Sequence, residues 1–258
     1  MHGNIANIFD LNIILLTAII FVPLERLLPM HMGQKVFRRA WKNDVVYLLF
    51  NGLWIKFGLG IFSAGIMVLA RALIPRSFQA AVAAQPLLVQ IIEVIFLADL
   101  GFYAAHRLFH TMPWLWKFHQ IHHSIQELDW LAGHRVHPLD QVLTKAASFA
   151  LILPPGFSGK AIIIYFLLYH WQSILVHANL RIGLGPLRYF LALPEFHHWH
   201  HSSNRLAYNK NLSGQLSFID ALFGTLYLPR GHLPDTYGID NVMPGTYISQ
   251  LLYPLKRY

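Results

Sequence analysis

The sequence predicts an all-α integral membrane protein, with about four transmembrane helices or helical hairpins and a histidine-rich helical cap on the cytoplasmic side. Three observations carry that expectation. Hydrophobic residues fill 55% of the 258 positions and charged residues only 12%, at a mean hydropathy of +0.42, whereas a soluble domain carries roughly 25% charged residues. Apolar runs of the roughly 20 residues that a spanning helix needs recur before and among the histidines. Finally, 13 of the 16 histidines fall between His106 and His201.

The first run, "LNIILLTAIIFVPLERLLP", covers Leu11 to Pro29, and the second extends from about Asp44 to Ile74. The third, "PLLVQIIEVIFLADLGFYAAH", covers Pro86 to His106. A fourth apolar region, Leu143 to about Val176, is interrupted by "PPGFSG", and proline and glycine there favour a hairpin or kink over one straight helix. Lys35, Arg38, Arg39 and Lys42 follow the first run, and the N-terminal tail has no Lys or Arg. The positive-inside rule then puts that loop, and the histidine-rich end of the third run, in the cytoplasm. Thr111 to Asp140 and the chain from Arg181 onward are more polar and aromatic, as expected of a cap. The N-terminus "MHGNIANIFD" lacks the positive n-region of a cleavable signal peptide.

Composition also excludes. The formal charge is +8, but the basic residues flank apolar segments rather than interleaving with aromatics, which suits a membrane surface and not nucleic acid. With no cysteine, disulfides, cysteine-ligated zinc, iron–sulfur clusters and thiolate haem are excluded. Any metal must take nitrogen and oxygen ligands.

The histidines are ordered: "HRLFH" (His106, His110), "HQIHH" (His119, His122, His123), "HRVHP" (His134, His137), "YHWQSILVH" (His170, His177) and "HHWHH" (His197, His198, His200, His201). At about 100° per helical residue, His106 and His110 lie about 40° apart. His119, His122 and His123 share a sector of about 100°, and His197, His200 and His201 repeat it, with His198 at its edge. Several helices so arranged can converge on metal, as helical bundles do. His2, His31 and His232 read instead as hydrogen-bonded boundary residues. Eight motif histidines are too many for one ion, so two are expected. No HExxH of a zinc hydrolase occurs, and only one Glu-x-x-His spacing, Glu195 to His198, matches the carboxylate-bridged di-iron pattern. Bis-histidine haem would use only two of them. A histidine-rich two-iron centre for oxygen chemistry fits best.

In its order HxxxH, HxxHH, HxxHH, with apolar spans before and between, the chain resembles the fatty acid hydroxylase and sterol desaturase superfamily. The resemblance covers roughly Leu97 to Tyr227 and rests on "HRLFH", "HQIHHS", "HRVHP", "HAN", "PEFHHWHHS" and "DALFGT". It implies a non-haem di-iron membrane enzyme that uses O2 to hydroxylate or desaturate a fatty-acyl or sterol-like lipid. The metal ligands it implies are His106, His110, His119, His122, His123, His197, His200 and His201, with His177 of "HAN" as a ninth. His134, His137, His170 and His198 are further candidates for metal or its surroundings, as are Asp99, Asp140, Glu195 and Asp220, carboxylates able to orient imidazoles. "NLSGQLSFIDALFGT" departs from the family pattern but keeps Asn211 and Asp220. Residues 1–85 then read as membrane-spanning helices and 86–258 as the oxygenase domain, the two forming one structural unit.

Two electrons must come from elsewhere, since neither a Rossmann glycine motif nor a fused cytochrome b5 motif is present. The expected donor is a separate ferredoxin- or cytochrome b5-like protein with its reductase, for which Lys117, Arg135, Arg205 and Lys210 offer a basic face. The expected cofactors are two iron ions, with zinc as an adventitious occupant. Short length and the C-terminus "LLYPLKRY" lean toward a bacterial inner membrane, or the endoplasmic reticulum in a eukaryote. The rival class is a histidine-rich metal-binding membrane protein or transporter, which internally broken spans around a midplane site would favour.

Overall fold

The computed structural model describes residues 11–256; His2 lies outside them. Among the described residues there are ten α-helices and no strands: α1 (Leu11–Leu27), α2 (Trp41–Leu73), α3 (Arg76–Ala83), α4 (Leu87–Thr111), α5 (Pro113–His123), α6 (Pro138–Ile152), α7 (Gly159–His177), α8 (Pro194–His200), α9 (Ser217–Leu222) and α10 (Tyr247–Leu252). The expected all-α class is thus observed.

Three of these, α2, α4 and α7, are long and apolar enough to cross a membrane. The most apolar stretch of α2 is only 6% buried against the protein. Trp54, Phe57, Ile61 and Val68 point outward from it, as a lipid-facing helix requires. The first and fourth apolar runs also form helices, the fourth broken at "PPGFSG" as expected. α1 is described over 17 residues, and its last turn serves the cap: buried Glu25 accepts the backbone N–H groups of Trp130 at 2.8 Å and Asn179 at 2.9 Å. The fourth region forms two helices, α6 and α7, because Pro154, Pro155 and a left-handed Gly156 at φ 87° end one, and the Ser158 side chain caps the next.

Three of the helices share a local cause. α5, α6 and α8 each begin with proline in the first turn, where its fixed φ suits the helix and its missing N–H costs nothing. Helix starts are therefore fixed just before "HQIHH" and "HHWHH". α4 and α6 approach closely at Gly101, where a Cβ would lie 2.5 Å from the Ala147 carbonyl oxygen, the small-residue contact that lets membrane helices pack. Val94, Ala98, Ile152, Ala161 and Tyr165 fill the space between α4, α6 and α7. Phe21, Trp130, Leu131, Ile174 and Leu180 tie α1 and α7 to the segment before α6.

Candidate metal centre

At the end of this bundle nine imidazoles meet in two adjoining groups. His106 and His110 of α4, His119 and His123 of α5, and His200 of α8 form the first. His122 of α5, His177 of α7, His197 of α8 and the following His201 form the second. Within each group one nitrogen per residue lies within 4.8 Å of all the others. α5 stands between the groups, so its i and i+4 residues face one and His122 faces the other. The rings of His123 and His201 stack across the divide at 4.5 Å. All nine are buried except half-buried His110.

Hydrogen bonds fix which nitrogen is free. Nδ1 of His106, His122, His177 and His200 donates to the carbonyl oxygens of Leu212 (2.6 Å), Arg135 (3.0 Å), Ser173 (2.7 Å) and Lys210 (2.9 Å). Nδ1 of His119 donates to Asp140 at 2.7 Å. A carbonyl or carboxylate oxygen only accepts, so in these five neutral rings Nε2 is the bare acceptor. Yet Nε2 of His106 lies 3.0 Å from Nε2 of His119, and that of His122 lies 3.2 Å from that of His177. Nε2 of His110 and of His200 is buried with no partner. Protonation does not resolve the conflict. Burial, with the neighbouring imidazoles, holds His123, His197 and His201 well below the usual histidine range, and burial brings His200 down to about 4. Facing lone pairs in a buried site repel; a cation set among them turns each pair into ligands. The donor set therefore fits metal, and with nitrogen alone it suits iron, zinc or copper over magnesium or calcium.

Of the other sequence candidates, Asp140 is the one carboxylate that touches an imidazole. Asp99 accepts the backbone N–H groups of Gly214, Gln215 and Leu216, and Asp220 those of Leu212 and Ser213. Both therefore fasten the loop whose Leu212 carbonyl holds His106. Glu195 pairs with Arg188 at 3.1 Å, away from both groups. His198 turns from the centre: Nδ1 meets the Tyr237 hydroxyl at 2.8 Å, and Nε2 meets the carbonyls of His177 and Ala178. His31 also bonds to Tyr237. His137 caps α6, accepting from the Leu139 N–H and donating to the Leu251 carbonyl. His134 and His170 line a cavity beside the centre without joining either group.

Arg135 corrects the basic face expected for a donor. It is buried and pairs with Asp44, which also pairs with Arg38, and Arg38 forks onto Asp129. This network immobilises the segment whose Arg135 carbonyl holds His122. Lys117 and Arg205 remain exposed, and Lys210 donates to the Gly224 carbonyl. The sequence reading missed Gly133, where a Cβ would lie 2.8 Å from the His177 ring, and the carbonyl acceptors, which no residue type announces.

Two openings reach the histidines from different sides. A cavity of about 550 Å3 runs from His106, His119, His122, His177 and His197 to apolar walls on α1, α2, α6 and α7, including Ile13, Leu48, Ile55, Phe149 and Phe166. A second opening, about 450 Å3, reaches His110, His123 and His200 and is lined by Thr111, Ser202, Asn209, Asp240 and Asn241.

The fatty acid hydroxylase family model matches residues 91–225. The ornithine lipid hydroxylase OlsE of Rhizobium tropici is 26% identical over 262 residues, which is 95% of this chain and 76% of that protein. Alkylglycerol monooxygenase of Homo sapiens is 32% identical over 130 residues, 49% of this chain but 28% of that protein. The fatty acid hydroxylase vlmA of a Lecanicillium species is 32% identical over 146 residues, 49% of this chain and 39% of its own length. The chain therefore spans well under half of the last two relatives. No solved structure matches it.

Proposed function

The chain belongs to the fatty acid hydroxylase family, and from that premise we propose that it is an O2-dependent oxidoreductase that hydroxylates or desaturates a membrane lipid. In this reading one iron is held by His106, His110, His119, His123 and His200, and a second by His122, His177, His197 and His201. When bound, the two irons supply the reductive activation of O2 that an unactivated C–H bond demands. The observation that carries the proposal is the convergence of bare, buried imidazole nitrogens at the inner end of an apolar cavity.

The protein's own groups do the rest. Backbone carbonyls hold the Nδ1 protons of four imidazoles and Asp140 holds that of His119, so the lone pairs of these five stay aimed inward. Asp140 also sets one negative charge beside an otherwise nitrogen-only centre. The apolar walls on α2, α6 and α7 receive an alkyl chain from the bilayer and keep water from it. The second opening, at His110, His123 and His200, carries the polar side chains of Asn209, Asp240 and Asn241 on its wall and leads to the first group, which suits the arrival of protons and of electrons from a separate ferredoxin- or cytochrome b5-like donor. Exposed Lys117 and Arg205 are the cations left to meet that donor. By the distribution of Lys and Arg, the centre faces the cytoplasm of a bacterial inner membrane, or the cytosolic face of the endoplasmic reticulum in a eukaryote.

The test is lipid profiling under 18O2 of cells making the wild-type chain or His200→Ala. Label in a lipid of the wild type that is absent from the variant supports the reading. Equal label in both, or in neither, overturns it.

A further inference from the structure

The mechanism leaves some polar groups of the larger cavity without a task. Lys145, on α6, lines it beside Thr144, Ser148, Tyr169 and His170. The Lys145 ammonium lies 5.7 Å from the centre of the Tyr169 ring. Among the described residues no carboxylate stands within ion-pair distance of it. Asp140, the one acid on the cavity wall, is engaged by His119, and the hydroxyls of Thr144 and Ser148 donate to the carbonyls of Asp140 and Ala98. An ammonium kept in a largely apolar cavity without an anion is costly, and such a residue suits an anionic group that arrives. A ring face at this distance offsets only part of that cost.

Resting on the reading of this cavity as a lipid site, we propose that Lys145 binds the anionic end of the substrate, an amphiphile terminating in a carboxylate or phosphate. Position along α6 adds regiochemistry. Lys145 is five residues past Asp140, about 7.5 Å along the helix axis, and Asp140 touches His119 directly. An anion held there brings carbons near the charged end to the histidines and leaves the far end of the chain among the apolar residues of α1, α2 and α7. Oxidation then falls near the head, not at the terminal methyl.

The test is competition binding to the full iron-loaded chain in nanodiscs under anaerobic conditions, reading displacement of tritiated hexadecanoate. Competitors are hexadecanoate, hexadecyl phosphate, methyl hexadecanoate and inorganic phosphate. The two anionic amphiphiles are expected to bind roughly ten- to a hundredfold more tightly than the ester. Lys145→Met brings acid and ester to parity without changing the ester, whose binding also reports that the variant is folded, and Lys145→Arg restores the preference. Equal binding of acid and ester by the wild type overturns the proposal, as does a preference that survives Lys145→Met. Displacement by inorganic phosphate alone would mark a soluble-anion site and overturn the lipid assignment. No turnover occurs without O2, so the two readings fail separately. Charge selectivity with no 18O labelling sinks only the oxygenase, and charge-blind binding by a labelling enzyme sinks only this inference.

Discussion

Replacing Asp140 by asparagine isolates the one charged support of the histidine centre. The Asp140 carboxylate accepts from His119 Nδ1 at 2.7 Å, with side-chain exposures of 2% and 4%, so water cannot take its place. Asparagine keeps the shape but loses the charge. If its amide nitrogen turns to His119, the ring must move its proton to Nε2 and leaves the five-imidazole group. If its oxygen turns instead, His119 keeps its tautomer but becomes a poorer donor. Loss of such a supporting partner costs roughly 10- to 100-fold in metal affinity, or about 1.4–2.8 kcal/mol. The assay is anaerobic Fe(II) competition against chelators of graded strength, with bound iron measured by elemental analysis. Glu195→Gln is the control, since Glu195 meets Arg188 and no imidazole; it should stay within about 0.5 kcal/mol of wild type. An Asp140→Asn protein that holds iron as tightly as wild type would refute the reasoning.

Three more substitutions separate the supports from one another. Gly133→Ala drives a Cβ to 2.8 Å from the His177 ring, so iron per chain should fall from two toward one; unchanged iron would show that the ring can yield. Asp44→Asn leaves Arg38 and Arg135 buried around a neutral group. It should cost about 3–5 kcal/mol of stability by denaturant titration in detergent, and a loss below about 1 kcal/mol would contradict the network's role. His137→Ala removes the α6 cap for about 1 kcal/mol with iron content intact; loss of iron would make His137 a ligand after all.

The histidine motifs were legible because imidazole is rare, and its helical spacing shows which rings share a face. The same spacing put His119, His122 and His123 in one sector. Their division between two groups depends on α5 lying between α4 and α8, which no count along one helix reveals. Charged residues misled in a consistent way. Arg135 reads as a surface cation but is buried because Asp44, 91 positions earlier, meets it. Asp99 and Asp220 read as partners of imidazole but bind backbone N–H groups of a loop. Lys145 sits in "LTKAAS" within an apolar region, and only the cavity gives it meaning. "PPGFSG" identified the helical hairpin because proline and glycine act locally. Glu25 could not reveal that the end of α1 serves the cap, since its partners follow more than 100 residues later.

Iron stoichiometry tests the central claim most directly. Protein prepared anaerobically with Fe(II), and variants His123→Ala and His197→Ala, one from each imidazole group, would be measured by elemental analysis with Mössbauer spectroscopy. The account predicts two irons per chain in the wild type, and in each variant selective weakening of one spectroscopically distinct iron while the other stays. A single iron in the wild type, or two irons lost together from either variant with the fold intact, would contradict it.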